Sequence, residues 1–136
     1  MSIVVDASIA AKWLIDEEDS DLAAQLLVED LIAPAILRLE CVSAVLKRLR
    51  MGELREGQVR QRISEIDRLP IRFHDVDEAE AVELAIRLRH PVYDCLYLAL
   101  ARRQGVQLIT ADARFVRAAA AAELGAHIRL LADYAQ

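Results

Sequence analysis

The chain has 136 residues, is 55% hydrophobic and carries 4 Gly, 3 Pro and 2 Cys. That balance predicts one globular domain over residues 1–136 and excludes a disordered, collagen-like or low-complexity chain. Cys41 and Cys95 are too few for a disulfide scaffold and lack the paired spacing of a zinc site, while a net charge of −5 argues against a simple positive coat.

In chain order, Ile3-Val4-Val5 is a β-branched run that predicts a strand ending at Asp6. Ser8 is placed to cap a helix through Trp13 and Leu14. Ser20 opens a helical pattern to Glu29 with Leu22, Ala23, Leu26 and Leu27 on one face. Leu31-Ile32-Ala33 predicts a second strand, and Pro34 starts the next element. From Pro34 to Met51 apolar residues recur at helical spacing until Gly52 stops them. A basic amphipathic helix from Glu56 to Leu69 turns Val59, Ile63 and Ile66 inward.

Ile71-Arg72-Phe73 predicts a third strand, followed by a helix from Asp77 to Arg89 that Pro91 breaks. Tyr93 to Gln104 reads as a compact apolar helix closed by Gly105. Val106 to Thr110 reads as a strand, Asp112 to Glu123 as an alanine-rich helix, and Ile128 to Leu131 as the last strand. Strands alternating with helices imply an α/β fold in three layers. A mainly parallel central sheet of about five strands would carry helices on both faces. The N-terminus lacks a basic leader, and no apolar run approaches the ~18 residues of a membrane span. The expectation is a cytoplasmic protein with no membrane association.

Charge is unevenly spread. Residues 1–30 carry eight acids against the single base Lys12, whereas residues 38–72 carry nine bases and five acids. Fifteen of the 17 bases are arginine, whose planar fork matches phosphate bidentately. The basic stretch reads either as solvated helix faces or as a surface for RNA or a protein partner.

In a parallel sheet, ligands bind beyond the carboxyl ends of the strands, near the switch point. Asp6 and Asp112 are predicted to lie there, with Asp94 in the first turn of the Tyr93 helix and Glu40 inside the Pro34 helix. Each has a plainer reading: helix caps for Asp6 and Asp112, dipole complementation for Asp94, an arginine pair for Glu40. Four carboxylates converging on one sheet edge would repel without a cation, and hard oxygen ligands suit Mg²⁺ or Mn²⁺. Such crowding is expected to raise at least one carboxyl pKa. His74, His90 and His127 are scattered and read as structural or surface groups.

Four segments in order, VVDASIAAKWL (Val4 to Leu14), Pro34 through LECVSAVL (Leu39 to Leu46), HPVYDCLYLALA (His90 to Ala101) and LITADARF (Leu108 to Phe115), span nearly the whole chain. Together they resemble the PIN-domain ribonucleases, and within them the VapC-type toxins of toxin–antitoxin pairs. The resemblance implies that Asp6, Glu40, Asp94 and Asp112 bind Mg²⁺ or Mn²⁺ and serve catalysis. It also implies a water-driven cut of RNA, often tRNA, leaving 5′-phosphate ends. Where many members have asparagine three residues after the glutamate, this chain has Ser43.

The implied partners are the RNA substrate, a cognate VapB-type antitoxin and a second copy in a homodimer. An antitoxin helix would lie between the Ser20–Glu29 and Pro34–Gly52 segments, with Arg38, Arg48 and Arg50 as salt-bridge donors. A non-catalytic PIN-like module binding RNA or protein is the alternative. A phosphate-accepting receiver domain would need a lysine after the last strand, and only Lys12 and Lys47 are present. A dinucleotide-binding domain fails for want of G-x-G-x-x-G.

Overall fold

In the computed structural model, which describes residues 2–134, the side chains of the first strand alternate between two cores. Ile3 and Val5 enter one and Val4 the other, all buried, as a strand covered on both faces requires. That strand, β1 (Ser2–Val5), lies in a sheet with β2 (Asp30–Pro34), β3 (Ile71–His74), β4 (Leu108–Thr110) and β5 (Ile128–Leu130). The strand order is β3-β2-β1-β4-β5, and every pairing is parallel. The sheet is therefore fully parallel, a step beyond the expected mainly parallel arrangement.

Eight helices among the described residues surround it: α1 (Ala7–Leu14), α2 (Ser20–Ala24), α3 (Ile36–Arg50), α4 (Glu56–Ile66), α5 (Glu78–Leu88), α6 (Val92–Gln104), α7 (Ala113–Ala121) and α8 (Leu131–Tyr134). On one face Val4, Ile32, Leu108 and Ile128 pack with Leu37, Cys41 and Val45 of α3, Leu98 of α6 and Phe115 of α7. On the other, Ile3, Val5, Leu31 and Ile109 meet Ile9 of α1, Ala23 of α2, Leu26 and Leu131. No helix among the described residues is long and apolar enough to cross a membrane.

Local departures from the sequence reading have physical causes. Asp6, not Ser8, caps α1, because its short carboxylate reaches the amides of both Ser8 and Ile9. Pro34 ends β2 opposite His74, a place where a missing amide is tolerated, and α3 starts at Ile36. The expected Ser20–Glu29 helix is the five-residue α2 followed by a 3₁₀ turn, Gln25–Val28, whose last residue is 89% exposed and has no core to hold it in register. Val106 and Gln107 precede β4, and α8 takes Leu131 from the expected last strand.

The Trp13 indole of α1 donates to the Ala23 carbonyl of α2 at 2.8 Å, tying the two helices over β1. Trp13→Phe keeps most of the apolar surface and removes that donor. It is expected to destabilise the fold by about 1 kcal/mol, read as a lower urea midpoint at unchanged m-value.

Candidate active site

The strand order reverses between β1 and β4, since the chain runs outward from β1 through β2 to β3 and returns to the opposite side. The register pairs Val4 with Leu108 and Val5 with Ile109, so Asp6 and Thr110 emerge side by side at the carboxyl edge. α6 packs against β1, β2 and β4, and because it precedes β4 its first turn, with Asp94, lies at the same edge. α3 follows β2 and carries Glu40 in its second turn.

Asp6 is only 6% exposed. Its Oδ1 accepts from the Ser8 amide at 3.1 Å, the Ser8 hydroxyl at 2.5 Å and the Ile9 amide at 3.3 Å, and its Oδ2 accepts from the Thr110 hydroxyl at 2.5 Å. The same two hydroxyls accept in turn: Ser8 Oγ from the Ala111 amide at 2.9 Å, Thr110 Oγ1 from the Asp112 amide at 3.1 Å. The loop after β4 is thereby fastened to the end of β1.

Glu40, half-buried, accepts from the Tyr97 hydroxyl one turn beyond Asp94 on α6. Asp94 Oδ2 lies 2.8 Å from His90 Nε2. Asp112 uses Oδ1 to cap α7 through the Phe115 amide at 3.2 Å, and its Oδ2 is 4.0 Å from the same His90 nitrogen. The His90 ring stacks on Phe115 at 4.2 Å between centroids and 7° between planes. Ligand atoms of His90, Asp94 and Asp112 all lie within 4.8 Å of one another.

Burial pushes the Asp6 carboxyl up to about 6, the Ser8 and Thr110 hydrogen bonds oppose it, and the Asp94 charge adds to it. Glu40 is raised by burial, opposed by Tyr97, and raised further by Asp94. Tyr97 is pushed far upward by burial and by its bond to Glu40, so it remains a donor. The expected rise in carboxyl pKa thus falls on Asp6 and Glu40, with Asp94 the charge felt by both.

No lysine or arginine pairs with Asp6, Glu40, Asp94 or Asp112 among the described residues. An uncompensated set of carboxylate oxygens has the chemistry of a hard divalent cation site, and Mg²⁺ or Mn²⁺ fits it. The plainer readings hold in part. Asp6 and Asp112 do cap helices and Asp94 does sit in a first helical turn, but Glu40 meets a tyrosine and not an arginine.

His90 corrects the sequence reading, because it stands between two of the acids and is not a bystander. Pro91 places it outside the helix that carries Asp94, so helical spacing does not mark it. Tyr97 is hidden among the core residues of α6, whereas Ser8 and Thr110 lie two residues from Asp6 and Asp112 in the sequence, although their hydrogen bonds do not show there.

The PIN domain family matches residues 3–121. Ribonuclease VapC3 of Pyrobaculum aerophilum is 30% identical over 118 residues, covering 82% of this chain and 90% of that protein. Ribonuclease VapC3 of Mycobacterium tuberculosis is 31% identical over 118 residues, covering 85% and 86%. A crystal structure of a Pyrobaculum aerophilum protein superposes with TM-score 0.73 at 16% identity, over 98% of this chain and 91% of that one. VapC20 of Mycobacterium tuberculosis, a sarcin–ricin loop cleaving toxin, superposes with TM-score 0.65 at 20% identity, over 85% and 94%. At those identities the two structures speak for the fold.

The raised Asp6 pKa has a sign that can be tested. A carboxyl at about 6 in the folded state and 3.8 unfolded binds its proton more tightly when folded. Its contribution is fully present below pH 3.8 and is lost as pH climbs through 6. Asp6→Asn keeps the acceptor toward Ser8 and Ile9 and cannot ionise. In chelator it is expected to exceed the wild type in stability by up to about 3 kcal/mol at pH 8, with the gap closing by pH 3.5. Urea unfolding across that range checks both ends.

Proposed function

The chain belongs to the PIN-domain family, and from that premise we propose that it is a divalent-metal-dependent endoribonuclease, the toxin of a type II toxin–antitoxin pair. The observation that carries the reading is the grouping of Asp94 and Asp112 with His90 beside the buried Asp6, with Glu40 close enough to feel the Asp94 charge and no lysine or arginine in an ion pair with any of the four acids among the described residues. VapC ribonucleases as relatives supply the RNA substrate and a VapB-type antitoxin as expectations.

In this reading Asp94, Asp112, Glu40 and Asp6 hold the ion. A bound Mg²⁺ or Mn²⁺ supplies Lewis-acid polarisation of a scissile phosphate and lowers the pKa of an attacking water. Ser8 fixes Oδ1 of the buried Asp6 and Thr110 fixes Oδ2, which keeps one lone pair for a cation. Tyr97 holds one oxygen of Glu40 and leaves the other free. His90 orients Asp94, and a carboxylate left unbonded accepts the proton of the water.

Two apolar surfaces support the proposed partners. Leu39 and Leu46 of α3 are exposed on the face that carries Lys47 and Arg50, and with Leu27 and Val28 they offer an antitoxin helix a place to lie. Of the arginines expected to meet it, Arg38 pairs with Asp67 and Arg48 with Glu17 and Glu53, whereas Arg50 has no ion pair among the described residues. Elsewhere Val82 and Tyr93 are exposed in the wall of a 640 Å³ groove lined also by Ile36 and Val76, the surface proposed for the homodimer.

Asp94→Asn is expected to fold normally and to lose roughly a hundredfold or more of Mn²⁺-dependent cleavage of a mixed RNA pool. Cleavage that persists in chelator, or in this variant at the wild-type rate, overturns the metal-dependent reading. Light scattering at tens of micromolar tests the dimer, where a strict monomer counts against it.

A further inference from the structure

Half of the eight arginines that the local charge count singles out are occupied. Arg38 pairs with Asp67, Arg48 with Glu17 and Glu53, Arg62 with Glu65 and Arg72 with Asp30. Five cations without an ion pair among the described residues flank the acids, in two clefts. The larger, 540 Å³, has His90, Asp94 and Asp112 in its wall together with Arg89, Arg114 and Arg117. The smaller, 280 Å³, lies beside Glu40 and is lined by Lys47 and Arg50 with Ala7, Ser43 and Ala44.

The three arginines of the larger cleft stand where folding alone does not favour them. Arg114 is in the first turn of α7, at the positive end of the helix dipole, and Arg117 repeats the charge three residues on, on the same face. Both are exposed. Arg89 closes α5 in the left-handed conformation, φ 51° and ψ 49°, a position that favours glycine. Local choices that oppose stability and meet no ion-pair partner among the described residues are expected at functional sites.

The geometry points to a path for the RNA backbone across the acid cluster: phosphates on one side of the cut are held by Arg89, Arg114 and Arg117, and those on the other by Lys47 and Arg50. This rests on the ribonuclease reading and adds to it the side chains that bring a polyanion onto four carboxylates. In a chain of net charge −5, approach over the acids alone would be repulsive. Cationic walls on both sides reverse the local field and set the direction of the strand. Arginine forks bind phosphate bidentately, as backbone positioning requires.

The test is RNA binding by Arg114→Gln/Arg117→Gln, with the charge-matched Arg60→Gln/Arg68→Gln as control; Arg60 and Arg68 are exposed and line neither cleft. Binding of a mixed RNA pool is measured in chelator, so that cleavage does not compete, and Mn²⁺ affinity is measured without RNA. The α7 variant is expected to bind RNA roughly tenfold more weakly, with a log–log salt slope smaller by about 1.4 for two lost phosphate contacts. Its melting temperature should be unchanged or higher, its Mn²⁺ affinity within about twofold of wild type, and the control should bind as wild type does. If the α7 variant keeps full affinity and salt slope while wild type binds and cleaves RNA, the path is wrong and the ribonuclease reading stands. An equal loss in the control means a diffuse charge effect and also overturns the path. Loss of co-purification with an antitoxin, at unchanged RNA affinity, reassigns the arginines to a protein partner. Wild type that neither binds nor cleaves RNA overturns both readings together.

Discussion

The parallel pairing of β1 with β4 is the constraint from which the site follows. It brings the last residue of each strand to one edge, and the Thr110 hydroxyl to Asp6 across 104 positions of sequence. Burying a carboxylate as fully as Asp6 is unfavourable unless its oxygens are hydrogen-bonded. Two amides and two hydroxyls meet that need, and the hydroxyls then bind the loop that carries Asp112. A single buried charge thereby ties the first strand, the first helix and the β4–α7 loop into one unit.

Burial is graded across the four acids. Asp6 is buried, whereas Glu40, Asp94 and Asp112 are partly open. The innermost carboxylate is hydrogen-bonded from the protein side on both oxygens, and Asp94, whose charge it feels, opens to the cleft. This grading separates fixing from exchange. In the proposed ribonuclease the inner acid would define where a cation sits, and the outer acids, with His90 between Asp94 and Asp112, would face what arrives from solvent.

What could be read from the sequence was whatever leaves a local trace. Asp6 ends a β-branched run, Glu40 interrupts an apolar helix, and Asp112 follows the strand Leu108–Thr110, so their places in the fold showed in neighbouring residues. All five strands were legible because each is a short β-branched or apolar run between helical patterns. Tyr97 was not, since it looks like one more apolar residue of α6 and its partner Glu40 is 57 positions away. His90 precedes Pro91, outside the helix, and its direction is set by stacking on Phe115. The pairing of the basic stretch was hidden for the same reason. Counting charge between residues 38 and 72 cannot see that Arg72 is neutralised by Asp30 or Arg48 by Glu17, because those acids arrive only through the parallel β2–β3 pairing and the packing of α3.

The two cysteines complete the logic of the donor set. Cys41 follows Glu40 and Cys95 follows Asp94, so each thiol is rotated about 100° around its helix from a site carboxylate. That rotation turns both thiols into the core, where they are fully buried. Burial, with the adjacent carboxylate adding to it, pushes Cys41 up to about 12 and Cys95 up to about 11. A thiol held protonated is a small apolar packing group and not a ligand, since metals bind the thiolate. The acids keep the thiols neutral, and the helix turn keeps them out of the cleft. Among the described residues, what remains facing the acids is oxygen, with the imidazole of His90. In the proposed metal site that donor set would disfavour thiophilic ions, although a sulfur lies one residue from two of the four acids.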